Sequence, residues 1–338
     1  MREALVHGGA LLAAIRTYGG ARADWLDLST GINPRPPALP PVPPESWTRL
    51  PEAEDEARMV DAFRRFTGAG LEARIVAASG SGALIAALPH LVPAGAAAAL
   101  RFAYGGHGKA LEAAGHRVVR IEDPRDGAAD ASLAFVANPN NPDGRRFPAA
   151  ILLDLADRLA ARGGVLVVDE AFMDADPRES VAAQAGRPGL VVLRSFGKTF
   201  GLAGLRLGFA LVPPALEAPL RARLGEWPVS GPAIAVGTAL LEDGPALARL
   251  RVGIRAASGW TRRAIGEAGL EPMGDAALFA LVRHRRAHAL FEALARRRIL
   301  VRPFETEPDA LRFGLCASEG EAGRLCRSLR DALREIAA

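Results

Sequence analysis

From residue 52 onward, apolar runs of strand length alternate with segments whose apolar residues recur every three or four positions. The runs predict strands at 74–78 (RIVAA), 117–121 (RVVRI), 132–137 (SLAFVA), 164–169 (GVLVVD), 190–194 (LVVLR) and 207–211 (LGFAL). The segments between them predict helices over 52–67, 82–92, 105–114, 148–162 and 214–224. Such alternation implies an α/β fold with a mostly parallel central sheet covered on both faces. Ligands of these sheets bind beyond the carboxyl ends of the strands, so the residues that follow each run are the place to look for chemistry.

After residue 230 the pattern changes. Long helical stretches at about 232–268, 285–298 and 318–336 surround short strands near 278–283, 299–303 and 311–315, the pattern of a smaller α+β domain. Residues 33–51 (NPRPPALPPVPPESWTRLP) are proline-rich and predict an extended, non-helical segment. The expected organisation is an N-terminal arm over 1–50 that contributes to the active site, a large domain over 51–230 and a small C-terminal domain over 231–338. A length of 338 residues suits two domains.

Composition narrows the function classes. Apolar residues at 49% and charged residues at 24% exclude a disordered chain. The net charge is only +4, although the pI is 9.6. Two residues, Lys109 and Lys198, are the only lysines, and the other basic residues are arginine. A nucleic-acid binder is the reading that the pI raises. Its best stretch, Arg283-His284-Arg285-Arg286 through Arg296-Arg297-Arg298, has the spacing of an amphipathic helix with a solvated basic face. No helix-turn-helix or base-stacking motif accompanies it. The two cysteines, Cys316 and Cys326, exclude a disulfide framework or cysteine zinc site and are expected as buried, reduced thiols; no metal is expected. Ala10–Ile15 is too short for a signal-peptide core, and the uncharged run Ala77–Leu100 is broken by Pro89 and Pro93. The expectation is a soluble, cytoplasmic protein without membrane contact.

Five local signals carry chemistry. Ser79-Gly80-Ser81-Gly82 follows a strand and opens a helix, which exposes backbone N–H groups and two hydroxyls at the positive end of the helix, as a phosphate cradle requires. An ordinary strand-to-helix turn has the same residues. Asn138-Pro139-Asn140-Asn141-Pro142-Asp143-Gly144 holds three of the four asparagines in the chain and fixes a turn that aims an amide at the crevice. Asp169-Glu170 ends a buried strand, where an acid is costly unless paired; a protonated ring nitrogen would suit it, and so would a structural ion pair. Lys198 lies among Phe196, Gly197, Phe200 and Gly201, an apolar setting that makes an amine nucleophilic toward a carbonyl. Arg206, eight residues later, offers a planar fork to phosphate oxygens.

A phosphate cradle, an amide, a buried carboxylate, a carbonyl-condensing lysine and a second phosphate cation together describe pyridoxal 5′-phosphate. The run Ser195-Phe196-Gly197-Lys198 with Arg206, joined to Asn-Pro-Asp-Gly and Asp-Glu-Ala-Phe upstream, resembles the fold-type I pyridoxal-phosphate enzymes, and the resemblance covers most of the chain. It implies that Lys198 carries the cofactor and that Asp169 pairs with its ring nitrogen. It places Asn141 on the ring's phenolate oxygen and Gly80, Ser81, Ser195 and Arg206 on the phosphate. Tyr104 matches the ring-stacking position, and His107 would lie behind the ring near Asp169. The fold, a large cofactor domain with a smaller α+β domain, and a homodimer with its active site at the interface are implied as well.

Two branches of this family fit. One is the histidinol-phosphate aminotransferases, and the other is the threonine-phosphate decarboxylases of cobalamin synthesis. His7-Gly8-Gly9 followed by Trp25-Leu26-Asp27-Leu28-Ser29-Thr30-Gly31-Ile32-Asn33-Pro34, together with Trp227-Pro228-Val229-Ser230, resembles the decarboxylases. The resemblance implies that Arg312, in Leu311-Arg312-Phe313, grips an anionic end of the substrate, and it makes His7 and Asn33 candidates for the substrate phosphate. Two departures stand out from the aminotransferase pattern. Phe172 replaces a tyrosine that would bond the cofactor phenolate, and Leu50-Pro51-Glu52 replaces a Tyr-Pro-Asp whose tyrosine reaches the partner subunit. The expected reaction is decarboxylation of a phosphorylated amino acid, with transamination as the alternative. Orientation of the substrate over the ring separates the two reactions.

Overall fold

The computed structural model describes residues 9–126 and 130–337. Its first elements are α1 (Leu11–Tyr18), β1 (Leu26–Asp27), α2 (Glu45–Thr48), α3 (Ala53–Thr67), β2 (Arg74–Ala78), α4 (Ser81–Ala87), β3 (Ala96–Leu100), α5 (Gly105–Ala113) and β4 (Arg117–Ile121). There follow β5 (Leu133–Ala137), α6 (Ala149–Ala160), β6 (Val165–Asp169), β7 (Leu190–Ser195), α7 (Phe196–Thr199), β8 (Gly208–Val212), α8 (Pro214–Leu224) and α9 (Gly231–Glu242). The last are α10 (Gly244–Glu267), β9 (Ala280–Arg283), α11 (Ala287–Arg296), β10 (Ile299–Leu300), β11 (Arg302–Pro303), β12 (Ala310–Phe313) and α12 (Glu319–Ala337).

These elements form two compact units. One consists of Pro36–Asn141 and Arg145–Leu250; the other holds Arg35 and the described residues before it, Pro142–Gly144, and Arg251 onward. This division differs from the expected boundaries at 50 and 230. The proline-rich segment is not wholly extended, because Pro43 and Pro44 lead into the single-turn helix α2, as proline does at helix starts. A Cβ on Gly231, the first residue of α9, would stand 2.3 Å from the Ser46 carbonyl oxygen. That close approach seats α2 on α9, and α9 also packs against α3. Residues 36–50 and 231–250 therefore belong with the sheet. The predicted continuous helix over 232–268 is instead two, separated at Asp243, whose carboxylate caps α10 by accepting from the Ala246 N–H at 2.8 Å.

In the larger unit the strand order is β2-β8-β7-β6-β5-β3-β4. All neighbours are parallel except that β8 runs antiparallel to both β2 and β7. Strands β5, β6 and β7 are buried along their whole lengths, which accounts for their unbroken apolar runs. Strand β3, Ala96-Ala97-Ala98-Ala99-Leu100, was absent from the expected set because alanine carries no strand preference. Its pairing on both edges fixes it as a strand, and Ala97 and Ala99 share a core with Leu84 and Leu111. Phe63 of α3 stacks on Phe209 of β8 with ring centroids 3.8 Å apart, which packs that helix on the sheet.

The second unit is built from both halves of the sequence. Strand β1 pairs in parallel with β10, Leu26 opposite Ile299. Strands β11, β12 and β9 form an antiparallel sheet in that order. Leu28, Leu290, Leu294, Phe313 and Leu325 lie in its core. Cys316 and Cys326 are buried free thiols, and burial pushes the Cys316 thiol up to about 11. Among the described residues no helix is long and apolar enough to cross a membrane.

Candidate active site

The carboxyl ends of β5, β6 and β7 carry Asn141, Asp169, Phe172, Ser195 and Lys198, and the other candidates of the larger unit follow β2 and β3 or precede β8. Asp169 is the last residue of β6 and is buried. Its Oδ2 accepts from the His107 Nε2 at 2.8 Å, and its Oδ1 accepts from the Ala171 N–H at 3.1 Å. With the proton of His107 on Nε2, the imidazole is the donor and the carboxylate the acceptor in this contact. His107 reaches Asp169 because α5 begins at Gly105, just after Tyr104. The Tyr104 ring is exposed, stands edge-on to His107 with centroids 5.4 Å apart, and lies over Gly106, where a Cβ would be 2.3 Å from its Cε1.

The asparagine-rich turn follows β5. The Asn138 side chain bonds both ways with the backbone of Phe147, and its backbone N–H donates to the Asp169 carbonyl at 2.9 Å. The Asn140 amide donates to the Phe102 carbonyl at 2.8 Å, which ties this turn to the Tyr104 loop. Asn141 follows, half-buried. After β7, the single turn α7 presents Lys198, half-buried, with its Nζ 5.7 Å from the centre of the buried Phe172 ring. Phe196 and Phe200 stack at 3.9 Å and anchor that turn in the core.

Gly208 joins the remaining parts. It pairs with Ala78 on one side and Ser195 on the other. A Cβ there would stand 2.3 Å from the Ser81 nitrogen, so only glycine lets β8 approach the start of α4 this closely. Gly80 has a left-handed φ of 88°, and a Cβ on it would lie 2.6 Å from Arg206 Nη2. Arg206 is itself left-handed at φ 55°. Gly80 thus lies against Arg206, and Gly208 against Ser81 and Ser195, so the four candidate phosphate residues gather where β7 and β8 meet the start of α4. Backbone N–H groups at a helix start beside a guanidinium suit a phosphate. With a buried carboxylate supported by an imidazole, and a lysine on the adjoining loop, this set fits pyridoxal phosphate.

The second unit holds Asn33 and Arg312. Arg312 is central in β12 and buried; its Nη2 donates to the Ser29 carbonyl at 2.8 Å, and its guanidinium lies 5.3 Å from the centre of the Phe279 ring. Burial and the neighbouring Arg302, opposite it on β11, push its pKa down to about 10. A buried guanidinium with a like charge on the neighbouring strand favours an incoming anion. The Asn33 side chain bonds the Arg35 backbone at both ends, each at 3.0 Å, in a local turn. A Cβ on Gly314 would stand 2.2 Å from the Thr30 carbonyl oxygen, so the 28–30 segment runs directly alongside the end of β12. His7 lies outside the described residues. One participant escaped the sequence reading. Arg194, buried in β7, pairs with Glu170, which makes the second acid of the Asp-Glu pair structural. A charge closing the run LVVLR was the signal, since a buried charge needs a partner.

Replacing Gly208 with alanine drives a methyl group into the Ser81 backbone. Gly208→Ala is expected to weaken pyridoxal-phosphate binding by at least about tenfold, the effect of a supporting contact displaced by roughly 1 Å. Equilibrium titration of the cofactor against the wild-type and variant chains checks this.

Comparison with known proteins adds the family. The model of the class I and II aminotransferases matches residues 57–329. A threonine-phosphate decarboxylase of Sinorhizobium sp is 43% identical over 97% of this chain and 98% of its own length. One from Pseudomonas aeruginosa is 45% identical over 96% of this chain and 97% of its own. Among solved structures, the histidinol-phosphate aminotransferase of Sinorhizobium meliloti in complex with pyridoxal-5′-phosphate has a TM-score of 0.79 at 23% identity, covering 98% of this chain and 95% of that one. That likeness shows the fold, a fold-type I one, and the sequence matches show the family: the chain belongs to the class I and II aminotransferases.

Proposed function

We propose that this chain is a pyridoxal-phosphate-dependent carboxy-lyase that converts L-threonine O-3-phosphate to (R)-1-aminopropan-2-ol O-2-phosphate and carbon dioxide, a step of cobalamin synthesis. The observation that carries the reading is end-to-end likeness, above 40% identity, to two threonine-phosphate decarboxylases. The proposed enzyme is a cytoplasmic homodimer whose partner is a small phosphorylated amino acid rather than nucleic acid or membrane.

When bound, the cofactor supplies an electron sink for the pair left at Cα by the departing carboxylate. The protein's residues do the rest. Lys198 provides the amine that carries the cofactor. Asp169 holds a proton on the ring nitrogen, and His107, donating from behind, keeps the carboxylate aimed. Asn141 donates to the phenolate oxygen, and Phe172, which has no hydroxyl, adds only an apolar wall there. Tyr104 covers the ring. Gly80, Ser81, Ser195 and Arg206 hold the phosphate. Arg312 binds an anionic end of the substrate, with His7 and Asn33 assigned to its phosphate. The choice between losing carbon dioxide and losing the Cα proton is one of orientation, which anion clamps set.

Purified chain supplied with pyridoxal phosphate and O-phospho-L-threonine, without any oxo-acid, is expected to release carbon dioxide over many turnovers, and Lys198→Ala is expected to release none. Absence of release from a chain that binds the cofactor would move the assignment to transamination, tested with histidinol phosphate and 2-oxoglutarate. Asp169→Ala is expected to slow release by about 10²- to 10³-fold, the kinetic equivalent of the roughly 3–5 kcal/mol lost when one member of a buried charge pair is removed. Arg312→Met separates stability from binding. Because the folded pKa of Arg312 lies below its unfolded value, its charge opposes folding at neutral pH, and that penalty lifts only as pH rises past about 10. The variant is therefore expected to melt at a higher temperature than wild type at pH 7. Its KM should rise on the order of 100-fold, as for a truncated buried charge contact. Calorimetry and steady-state kinetics give both readings.

A further inference from the structure

A buried ion cluster sits at the carboxyl edge of the sheet and has no place in the binding scheme above. Arg194, Glu170 and Asp174 are all almost fully buried. Arg194 Nη2 lies 2.7 Å from Glu170 Oε2 and donates to Ser180 Oγ at 2.8 Å, while Nη1 bonds Asp174. Glu170 also accepts from the Val181 N–H at 2.7 Å and from the Ser180 hydroxyl at 2.9 Å.

Its position along the chain is what makes it informative. Glu170 directly follows Asp169, and Arg194 directly precedes Ser195, four residues before Lys198. The β6–β7 register runs out at Asp169 opposite Leu193, and the Glu170 N–H closes it on the Leu193 carbonyl at 2.9 Å. Past that point the Arg194–Glu170 pair links the two strand ends. Side chains alternate along a strand, so Arg194 and Ser195 face opposite sides of the sheet. Asp169 is in register with Leu193 and so shares the side of Ser195. The cluster therefore works from the back of the surface that carries the cofactor residues. It also reaches the third loop: Glu179, next to Ser180, accepts through its carbonyl from the Asn138 amide at 3.3 Å, in the turn that carries Asn141.

Stability accounts poorly for such a cluster. Two carboxylates face one guanidinium away from water, and burial pushes the Glu170 carboxyl up despite Arg194. Arg194 Nε is buried with no hydrogen-bond acceptor among the described residues. Apolar side chains in place of such groups are often as stable or more so. What charged, hydrogen-bonded groups add is fixed geometry between the segments they join.

We propose that Arg194 is a positioning residue: it clamps the ends of β6 and β7 and the 173–181 loop to one another, and so sets the spacing of Asp169, Ser195 and Lys198 around the cofactor. This rests on the pyridoxal-phosphate reading of the site. The test compares wild type with the charge-free triple variant R194M/E170M/D174L and with R194K, which keeps a charge but loses the fork. Melting temperature, the dissociation rate of pyridoxal phosphate and the absorbance and circular dichroism of the bound cofactor are measured on each. The triple variant is expected to melt no lower than wild type, yet to lose cofactor on the order of 10- to 100-fold faster, the range for groups that support a binding set from behind, and to show a displaced spectrum. R194K is expected between the two. Folded variants with wild-type cofactor release and spectra would overturn the proposal. Should the triple variant fail to fold, R194K decides by the same readings. A wild-type chain that takes up no pyridoxal phosphate would instead overturn the reading of the site, and the proposal with it.

Discussion

Asp169 keeps a carboxylate out of water at the end of a strand whose other residues are apolar, and such a group persists only where its surroundings supply donors. Two donors come from the protein, the His107 imidazole and the Ala171 N–H. The rest of the sheet's carboxyl edge is arranged around that requirement. Helix α5 has to begin where it does to bring His107 beneath the acid. The Asn138 turn has to follow β5 at once, because its N–H bonds the Asp169 carbonyl. Under the proposed function, a ring nitrogen that shares the carboxylate would meet a group already oriented by these two donors, with little reorganisation on binding.

Much of this was legible in the sequence, for physical reasons. Strands rich in valine and leucine announce themselves, and β5 to β8 lie within a residue or so of their predicted bounds. The motifs after them are glycine, proline and asparagine turns whose geometry is local. What depended on distant partners was not legible. Strand β3 is alanine, and only its two neighbours make it a strand. Strand β1 is two residues long and exists because β10 lies beside it. Helix α9 reads as part of α10 until Asp243 is seen capping the second helix, and its place in the larger unit follows from α2 and α3. Arg194 was hidden by abundance: in a chain whose basic residues are nearly all arginine, one more arginine carries little information until its burial is known.

Scarcity worked the other way for lysine. Lys109 is exposed on α5, so Lys198 is the lysine at the site. Arginine remains protonated at any working pH and cannot stand in for an amine that must condense with a carbonyl. The division of labour is therefore chemical. In the proposed scheme guanidinium groups hold anions at Arg206 and Arg312, a further one holds the ion cluster at Arg194, and the one amine at the site is left for covalent chemistry.

The pairing of β1 with β10 also sets an order in time. All seven strands of the larger sheet have been synthesised once Val212 is added, so the sheet can pair while translation continues. Strand β1 is made before that sheet but has no partner until Ile299 and Leu300 emerge. The ribosome adds about 5–20 residues per second, so β1 waits on the order of 10–60 s for the strand it joins. Closure of the second unit thus follows completion of the larger sheet's strands, and β1 remains open to premature pairing until then.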